Sequence, residues 1–144
     1  RVPTPLLTLY GFAFTRSAPA IDSFQQLDKM LRIGIQRGVV WAENAVRHRK
    51  GVVELQQPLE LADKLAKGAI DVALATENGI NGKFNKRRST ERFYHGEPII
   101  SFKVYHYLHK KHEGLIAKVD VEIKNMSKNG EIEKIANFPF RKIN

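Results

Sequence analysis

The residues with the clearest chemical potential end an apolar segment, "AKGAIDVALATENG", at positions 66–79. The run after the first glycine is almost wholly apolar, which is typical of a strand buried on both faces. We predict that this strand stops at Thr76 and Glu77, because an Asn-Gly pair, which favours a turn, follows. The strand therefore delivers a hydroxyl and a carboxylate to the edge of a sheet, where both are available to hold a ligand.

Three histidines at spacings of three residues, His106, His109 and His112, form a second candidate group. A zinc site needs three or four converging ligands. On a strand His106 and His109 point to opposite faces, and Glu113 is the acidic residue nearest to them in the sequence. We therefore predict solvated histidines and no metal site.

The basic residues are concentrated in one segment of the chain. Residues 83–112 carry eight basic and two acidic side chains, net +6 of the total +9. Basic and aromatic side chains together can neutralise phosphates and stack on bases, although a charged run is more often a solvated surface. Within this segment they are Lys86, Arg87, Arg88 and Arg92, interleaved with Phe84, Phe93 and Tyr94.

The totals exclude several classes of protein. A chain of 144 residues forms one domain, or one domain and part of another. It has no cysteine, which excludes disulfides and thiolate metal sites. Its apolar runs are shorter than the roughly 20 residues of a membrane-spanning helix, so we expect no membrane insertion. We find no phosphate-binding glycine loop and no nucleophile elbow, and we predict neither an enzyme nor a cofactor.

The elements that must position these residues alternate between strands and helices. A helix is predicted after Ser23, and Pro58 is well suited to the first turn of another. Gly11 is predicted to form a bulge in the first strand. The predicted strands are 6–15, 31–36, 52–55, 69–75 and 99–108, and the longer helices are 39–51, 58–68, 111–130 and 131–138. This alternation predicts an α/β fold with a mostly parallel sheet.

Three segments, "LDKMLRIGIQRG", "LADKLAKGAIDVALA" and "YLHKKHEGLIAKVDVEIKNMSKNGEIEKI", carry a resemblance to a known family. In this order they resemble the C-terminal part of the family 3 extracellular solute-binding proteins. Those proteins are periplasmic receptors that deliver amino acids and related small polar molecules to ABC transporters. The last of the three segments is the most specific.

The resemblance implies the second of two α/β lobes, which close on a ligand about two hinge strands. Residues 1–107 would form this lobe with its bracketing hinge strands, 6–15 and 99–108. Residues 108–144 would form C-terminal helices that pack on a first lobe, and we expect that first lobe to lie outside this chain. The chain begins at Arg1 without a signal peptide, so a periplasmic location would need a leader that is not in this chain.

The resemblance also implies two places of ligand contact in this lobe. One is the turn from strand to helix at Arg37, Gly38, Val39 and Val40. In the family a Ser or Thr follows this turn; here valines stand there, but backbone N–H groups at a helix start can still face an anion. The alternative is that Val39 and Val40 only pack the start of the helix.

The other contact implied by the resemblance is the family's ammonium-binding Asp, five residues after the strand's Asp71. That position is Thr76 in this chain, which can donate a hydrogen bond but cannot neutralise a charge. Glu77 is adjacent, although strand alternation would place it on the opposite face. The ligand therefore lacks an ammonium group, or Glu77 binds it, or such binding has been lost. We interpret Asp71 as a structural residue. We interpret Trp41 as a core residue rather than as a platform on which a ligand stacks.

Two functions follow from these observations. The first is a solute-binding component of an ABC-type transport system, or a truncated relative, with a small polar or anionic ligand such as an amino acid. Its other partners would be the membrane subunits of the transporter and a second copy of the chain that exchanges terminal helices. The alternative is a basic interaction module that binds nucleic acid or another anionic partner.

Overall fold

The computed structural model describes residues 1–27, 32–81 and 93–136. In these ranges strands and helices alternate as predicted, and the fold class is α/β. The strands are β1 Pro5–Phe14, β2 Ile33–Gln36, β3 Val52–Leu55, β4 Val72–Thr76 and β5 Ile100–Tyr105. The helices are α1 Phe24–Leu27, α2 Val40–Val46, α3 Pro58–Ala66, α4 Glu77–Asn81, a 3₁₀ helix at Lys110–Leu115, α5 Ile116–Lys128 and α6 Glu131–Ala136.

The five strands form one sheet in the order β3-β2-β4-β1-β5. β2 is parallel to both β3 and β4, and β1 is antiparallel to β4. The mostly parallel sheet is therefore confirmed. Because β2 and β4 are parallel neighbours, their carboxyl ends lie side by side. We call this end of the sheet the carboxyl edge.

β4 is buried on both faces, as its apolar sequence predicts. Ala73 and Ala75 face a core cluster that includes Leu61 and Leu65 of α3. Val72 and Leu74 face a second cluster on the other side of the sheet, which includes residues of α2. α3 thus covers one face of the sheet and α2 the other, and β4 lies between the two layers.

α3 shows how the sequence sets the limits of a helix. Pro58 occupies the first helical turn, where its missing N–H costs nothing. The Glu60 carboxylate accepts the N–H groups of Gln56 and Gln57, each at 2.9 Å. Gly68, with a φ of 68°, follows the last turn, so the predicted stop is confirmed.

Three sequence predictions were wrong in detail. α2 ends at Val46 and does not reach Gly51, which has a φ of 77° and immediately precedes β3. Gly11 does not form a bulge, because it pairs in unbroken register with Thr76 of β4. The predicted helix over 111–130 begins as a 3₁₀ helix at Lys110–Leu115, with non-helical backbone angles at His112, and is α-helical only from Ile116 onwards.

The chain divides into two compact units. One is Arg1–Leu9 with the described part of Phe102–Asn144, and the other is Tyr10–Ser101. In the first unit the Thr4 N–H donates to the Asp120 carboxylate at 2.7 Å, and Lys124 pairs with the same carboxylate at 2.7 Å. These two partners hold the pKa of Asp120 at about 2.

Within the described ranges, no helix combines the length and the apolar composition that a membrane span requires.

Candidate functional site

The carboxyl edge brings the two predicted contact segments together. Arg37–Val40 follows β2 directly, and Thr76 is the last residue of the neighbouring β4. The register places Ile35 beside Leu74, one residue before the last residue of β2 and two before the last residue of β4. The two segments are therefore neighbours at the point where the chain turns into α2 and α4.

Two backbone donors of the β2–α2 turn, the N–H groups of Gly38 and Val39, are engaged within the chain. Gly38 has a φ of 82°, and its N–H donates to the Glu43 carboxylate at 2.6 Å. The Val39 N–H donates to the carbonyl of Gln36 at 3.2 Å. The negative charge of Glu43 is favoured in the first turn of α2 by the helix dipole. An external anion at Gly38 would therefore have to displace the Glu43 carboxylate.

Arg37 is directed away from Thr76 by its ion pair. Its Nε lies 3.3 Å from a carboxylate oxygen of Glu54 on β3. β3 borders β2 on the side opposite to β4. Both side chains are largely exposed, so the pair is a weak surface interaction that a ligand can exchange at small cost.

The two valines at the start of α2 have different surroundings. Val39 is half-buried and packs against the second core cluster. Val40 is 65% exposed. The predicted packing role therefore describes Val39, whereas Val40 presents an apolar surface to solvent beside the turn.

Thr76 and Glu77 stand at the junction of β4 and α4. Thr76 is half-buried, and its hydroxyl approaches to 3.4 Å of the position that a β-carbon on Gly79 would take. Glu77 opens α4 and is exposed. Because the helix begins immediately after Thr76, strand alternation does not fix the direction of Glu77. The junction thus presents one hydroxyl and one solvent-accessible carboxylate.

Trp41 lies closer to this edge than its sequence position indicates. Its ring packs over Gly11, where an added β-carbon would lie 2.8 Å from two ring atoms. Gly11 is the strand partner of Thr76, so the indole and Thr76 are neighbours across β1 and β4. Trp41 also packs against the second core cluster, in agreement with the predicted core role. The sequence shows an aromatic residue after a glycine turn, but its contact with Gly11 depends on the distant pairing of β1.

Asp71 has a structural role, as interpreted from the sequence. It precedes β4, and its carboxylate accepts the Arg32 backbone N–H at 3.0 Å. The same carboxylate accepts two guanidinium bonds from Arg32, at 2.6 and 3.2 Å. These hydrogen bonds lower the pKa of Asp71 and tie the starts of β2 and β4 together.

The other candidate groups do not form a site in the described part of the chain. His106, His109 and His112 are exposed, and His109 Nδ1 accepts the Lys111 N–H at 3.2 Å. No set of His, Asp or Glu side chains converges there on a possible metal ion.

The basic and aromatic segment is divided by the limits of the described ranges. Its four central basic residues and Phe84 lie outside those ranges. Phe93 packs in the first core cluster at 7% exposure, so its ring is not available for stacking on a base. Tyr94 is 55% exposed.

Comparisons with known proteins identify the fold. No family model and no curated protein sequence matches the chain. Among solved structures, the GluR0 ligand-binding core with L-glutamate is similar at a TM-score of 0.74 and 13% identity, over 91% of this chain and 59% of that one. A histidine kinase sensor domain with similarity to periplasmic binding proteins gives 0.69 and 20%, over 92% and 59%.

A third similar structure is an ancestral amino acid-binding protein described as a precursor of cyclohexadienyl dehydratase. It gives a TM-score of 0.62 at 18% identity, over 92% of this chain and 57% of that one. The fold is therefore that of periplasmic-binding-protein-like domains, as the sequence resemblance implies. The chain spans less than two thirds of the length of each of these structures.

Proposed function

We propose that this chain provides the second lobe and the hinge strands of a solute-binding protein that serves an ABC-type transport system. The observation that supports this most strongly is the likeness to ligand-binding folds over about nine tenths of the chain. We propose further that the lobe comprises residues 1–107, that the helices of 108–144 pack on a first lobe, and that the protein works in the periplasm.

The sheet topology supports a ligand at the carboxyl edge. The chain leaves β2 towards β3 on one side, whereas β4 lies on the other side of β2. In open α/β sheets ligands bind in the crevice at the carboxyl ends of strands where the order reverses in this way. Arg37, Gly38, Val39, Val40, Thr76 and Glu77 are the residues we assign to that crevice.

The chemistry of these residues favours a small polar solute. Thr76 would hydrogen-bond to it. The adjacent exposed carboxylate of Glu77 would form an ion pair with an ammonium group. An anionic group at Gly38 would compete with Glu43, which already accepts that N–H at 2.6 Å. We therefore place the polar or cationic part of the ligand at Thr76–Glu77 and its apolar part against Val40.

Function would follow from closure of two lobes on the ligand about the hinge strands. The membrane subunits of the transporter would then bind the closed form. We also propose that copies of this chain self-associate by exchanging terminal helices, because the exposed Val121 and Ile135 leave apolar surface on them. A clean monomer by light scattering at micromolar concentration would count against that exchange.

Trp41 provides the assay for binding, because it is the chain's single tryptophan and neighbours Thr76. We expect a saturable change in its fluorescence when the chain is titrated with a panel of amino acids and related polar solutes. The matched variants are Thr76→Asp, which adds a carboxylate, and Thr76→Asn, whose side chain has the shape of aspartate without its charge.

Thr76→Asp should raise the affinity for amino acids about tenfold or more, since a charge-assisted hydrogen bond contributes about 1.5–3 kcal/mol. Thr76→Asn should not do so, and N-acetylated amino acids, which lack the ammonium group, should gain nothing from either variant. If no solute changes the fluorescence of any of the three proteins, the proposed function is wrong for this chain.

A further inference from the structure

A cavity lies at the end of the sheet opposite to the carboxyl edge. The loop of residues 15–21 after β1, together with Gln26 and Asp71, lines an open pocket of about 450 Å³. Asp71 precedes β4 and Thr76 ends it, so five strand residues, or about 16 Å, separate the cavity from the proposed ligand crevice. The volume lies within the usual range of roughly 300–1,000 Å³ for small-molecule sites. It is therefore large enough to be a site in its own right.

Arg16 supplies a cation to this cavity. Its guanidinium lies over Gly68, and three of its atoms are 3.0–3.2 Å from the position that a β-carbon there would take. This places the charge at the carboxyl end of α3, where the helix dipole stabilises a cation. Among the described residues Arg16 has no ion-pair partner within 4 Å. Its planar donor group is thus positioned and available.

Two further polar groups line the cavity beside Arg16. The Ser17 backbone carbonyl accepts the hydroxyl of Thr15 at 2.8 Å, which fixes the loop and leaves the Ser17 side chain exposed. The Gln26 carbonyl oxygen accepts the Asp22 N–H at 2.7 Å, so its amide NH₂ remains as a donor. The apolar residues of the lining are Ala18, Pro19, Ala20 and Ile21.

The electrostatic balance of the cavity favours an anion. Asp71 also lines it, but Arg32 holds the Asp71 carboxylate with two guanidinium bonds. Arg16 also acts electrostatically on Asp71 and helps to lower its pKa, so the lining itself holds one positive and one negative charge. With Arg32 included, the three groups carry one net positive charge. A carboxylate matches the planar donor group of an arginine and can form two parallel hydrogen bonds with it.

We propose that this cavity binds a small organic carboxylate, with the carboxylate on Arg16 and a short apolar portion against the exposed Ala18 and Pro19. The site is independent of the proposed solute-binding function, since it shares none of the residues assigned to the carboxyl edge. Its ligand would be distinguished from the transported solute by the need for a negative charge.

NMR titration of the ¹⁵N-labelled chain with succinate, and in parallel with uncharged succinamide, tests this site. Succinate should produce saturable amide shifts in residues 15–18, 20 and 21 and at Asp71, and succinamide should not. Arg16→Gln should weaken succinate binding about tenfold or more, because a charge-assisted hydrogen bond is lost. Lys118→Gln, which makes the same change of charge on exposed α5, should leave the binding unchanged.

Three results would overturn the proposal. One is the absence of saturable shifts with succinate in the unaltered chain. The second is equal binding of succinamide, which would show that the charge is not recognised. The third is an equal loss of succinate affinity in Arg16→Gln and Lys118→Gln, which would show that succinate responds only to the net charge of the chain. Because the first two comparisons use the unaltered chain, they do not depend on the folding of a variant.

Discussion

Gly11→Ala tests the packing that places Trp41 beside the proposed ligand crevice. A β-carbon at this position would lie 2.7 Å from Ile100 Cγ2 and 2.8 Å from two ring atoms of Trp41. Neither neighbour can yield cheaply, because the isoleucine is β-branched and the indole is a rigid ring packed on the second core cluster. Either the ring or the strand must therefore move.

The size of the effect follows from two opposed contributions. Overpacking of a well-packed core costs about 1–3 kcal/mol. Replacing glycine by alanine in a strand returns roughly 0.5–1 kcal/mol, because the unfolded chain loses conformational freedom. We therefore expect Gly11→Ala to lower the free energy of unfolding by about 1 kcal/mol, within a range of about 0–2.5 kcal/mol. The matched control is Gly114→Ala, where an added β-carbon meets no atom within 4 Å.

Urea unfolding followed by tryptophan emission and circular dichroism measures the free energy of unfolding and the environment of Trp41 in one experiment. Gly11→Ala should shift the midpoint to lower urea and alter the folded-state emission of Trp41. Gly114→Ala should be at least as stable as the unaltered chain and up to about 1 kcal/mol more stable, because the same gain is not offset by a clash. The reasoning is refuted if Gly11→Ala is as stable as Gly114→Ala and the emission of its folded state is unchanged.

Three further predictions concern single contacts. The pKa of Asp120 is about 2 against an ordinary 3.8, so its carboxylate stabilises the fold above pH 3.8 and that contribution is lost as the pH falls through about 2. Asp120→Asn should therefore lower the Tm at pH 7, and the difference should shrink near pH 2 in thermal scans. Glu60→Ala removes the acceptor of two N–H groups before α3 and should cost about 1 kcal/mol in urea unfolding. Gly38→Ala should lower the free energy of unfolding in urea by roughly 1–2 kcal/mol. The cause is backbone strain, since the φ of Gly38 is 82° and its surroundings are open. An unchanged urea midpoint would contradict this.

The sequence predicts most of this fold because the deciding signals are local. Pro58 and Gly68 mark the limits of α3, and the apolar run before Thr76 marks a strand buried on both faces. These residue types act through their own backbone angles and through their immediate neighbours. Prediction of the α/β alternation therefore required no long-range information.

The details of the site depend on contacts that the sequence does not display. Glu43 reaches back to the Gly38 N–H, and this depends on a side-chain rotamer and on the exact start of α2. Gly11 accommodates Trp41 because β1 is placed beside β4 by pairing across about sixty positions. The bulge predicted at Gly11 was wrong for this reason: a glycine in a strand also marks a close approach of another group.

The central claim is that the carboxyl edge of the sheet binds a small polar solute. The most direct test is to map the amide shifts of the ¹⁵N-labelled chain during titration with the panel of amino acids and related polar solutes. The account predicts that at least one solute gives saturable shifts centred on residues 37–40 and 76–77. It is contradicted if no solute in the panel binds, or if the shifts of every solute that binds lie away from this edge.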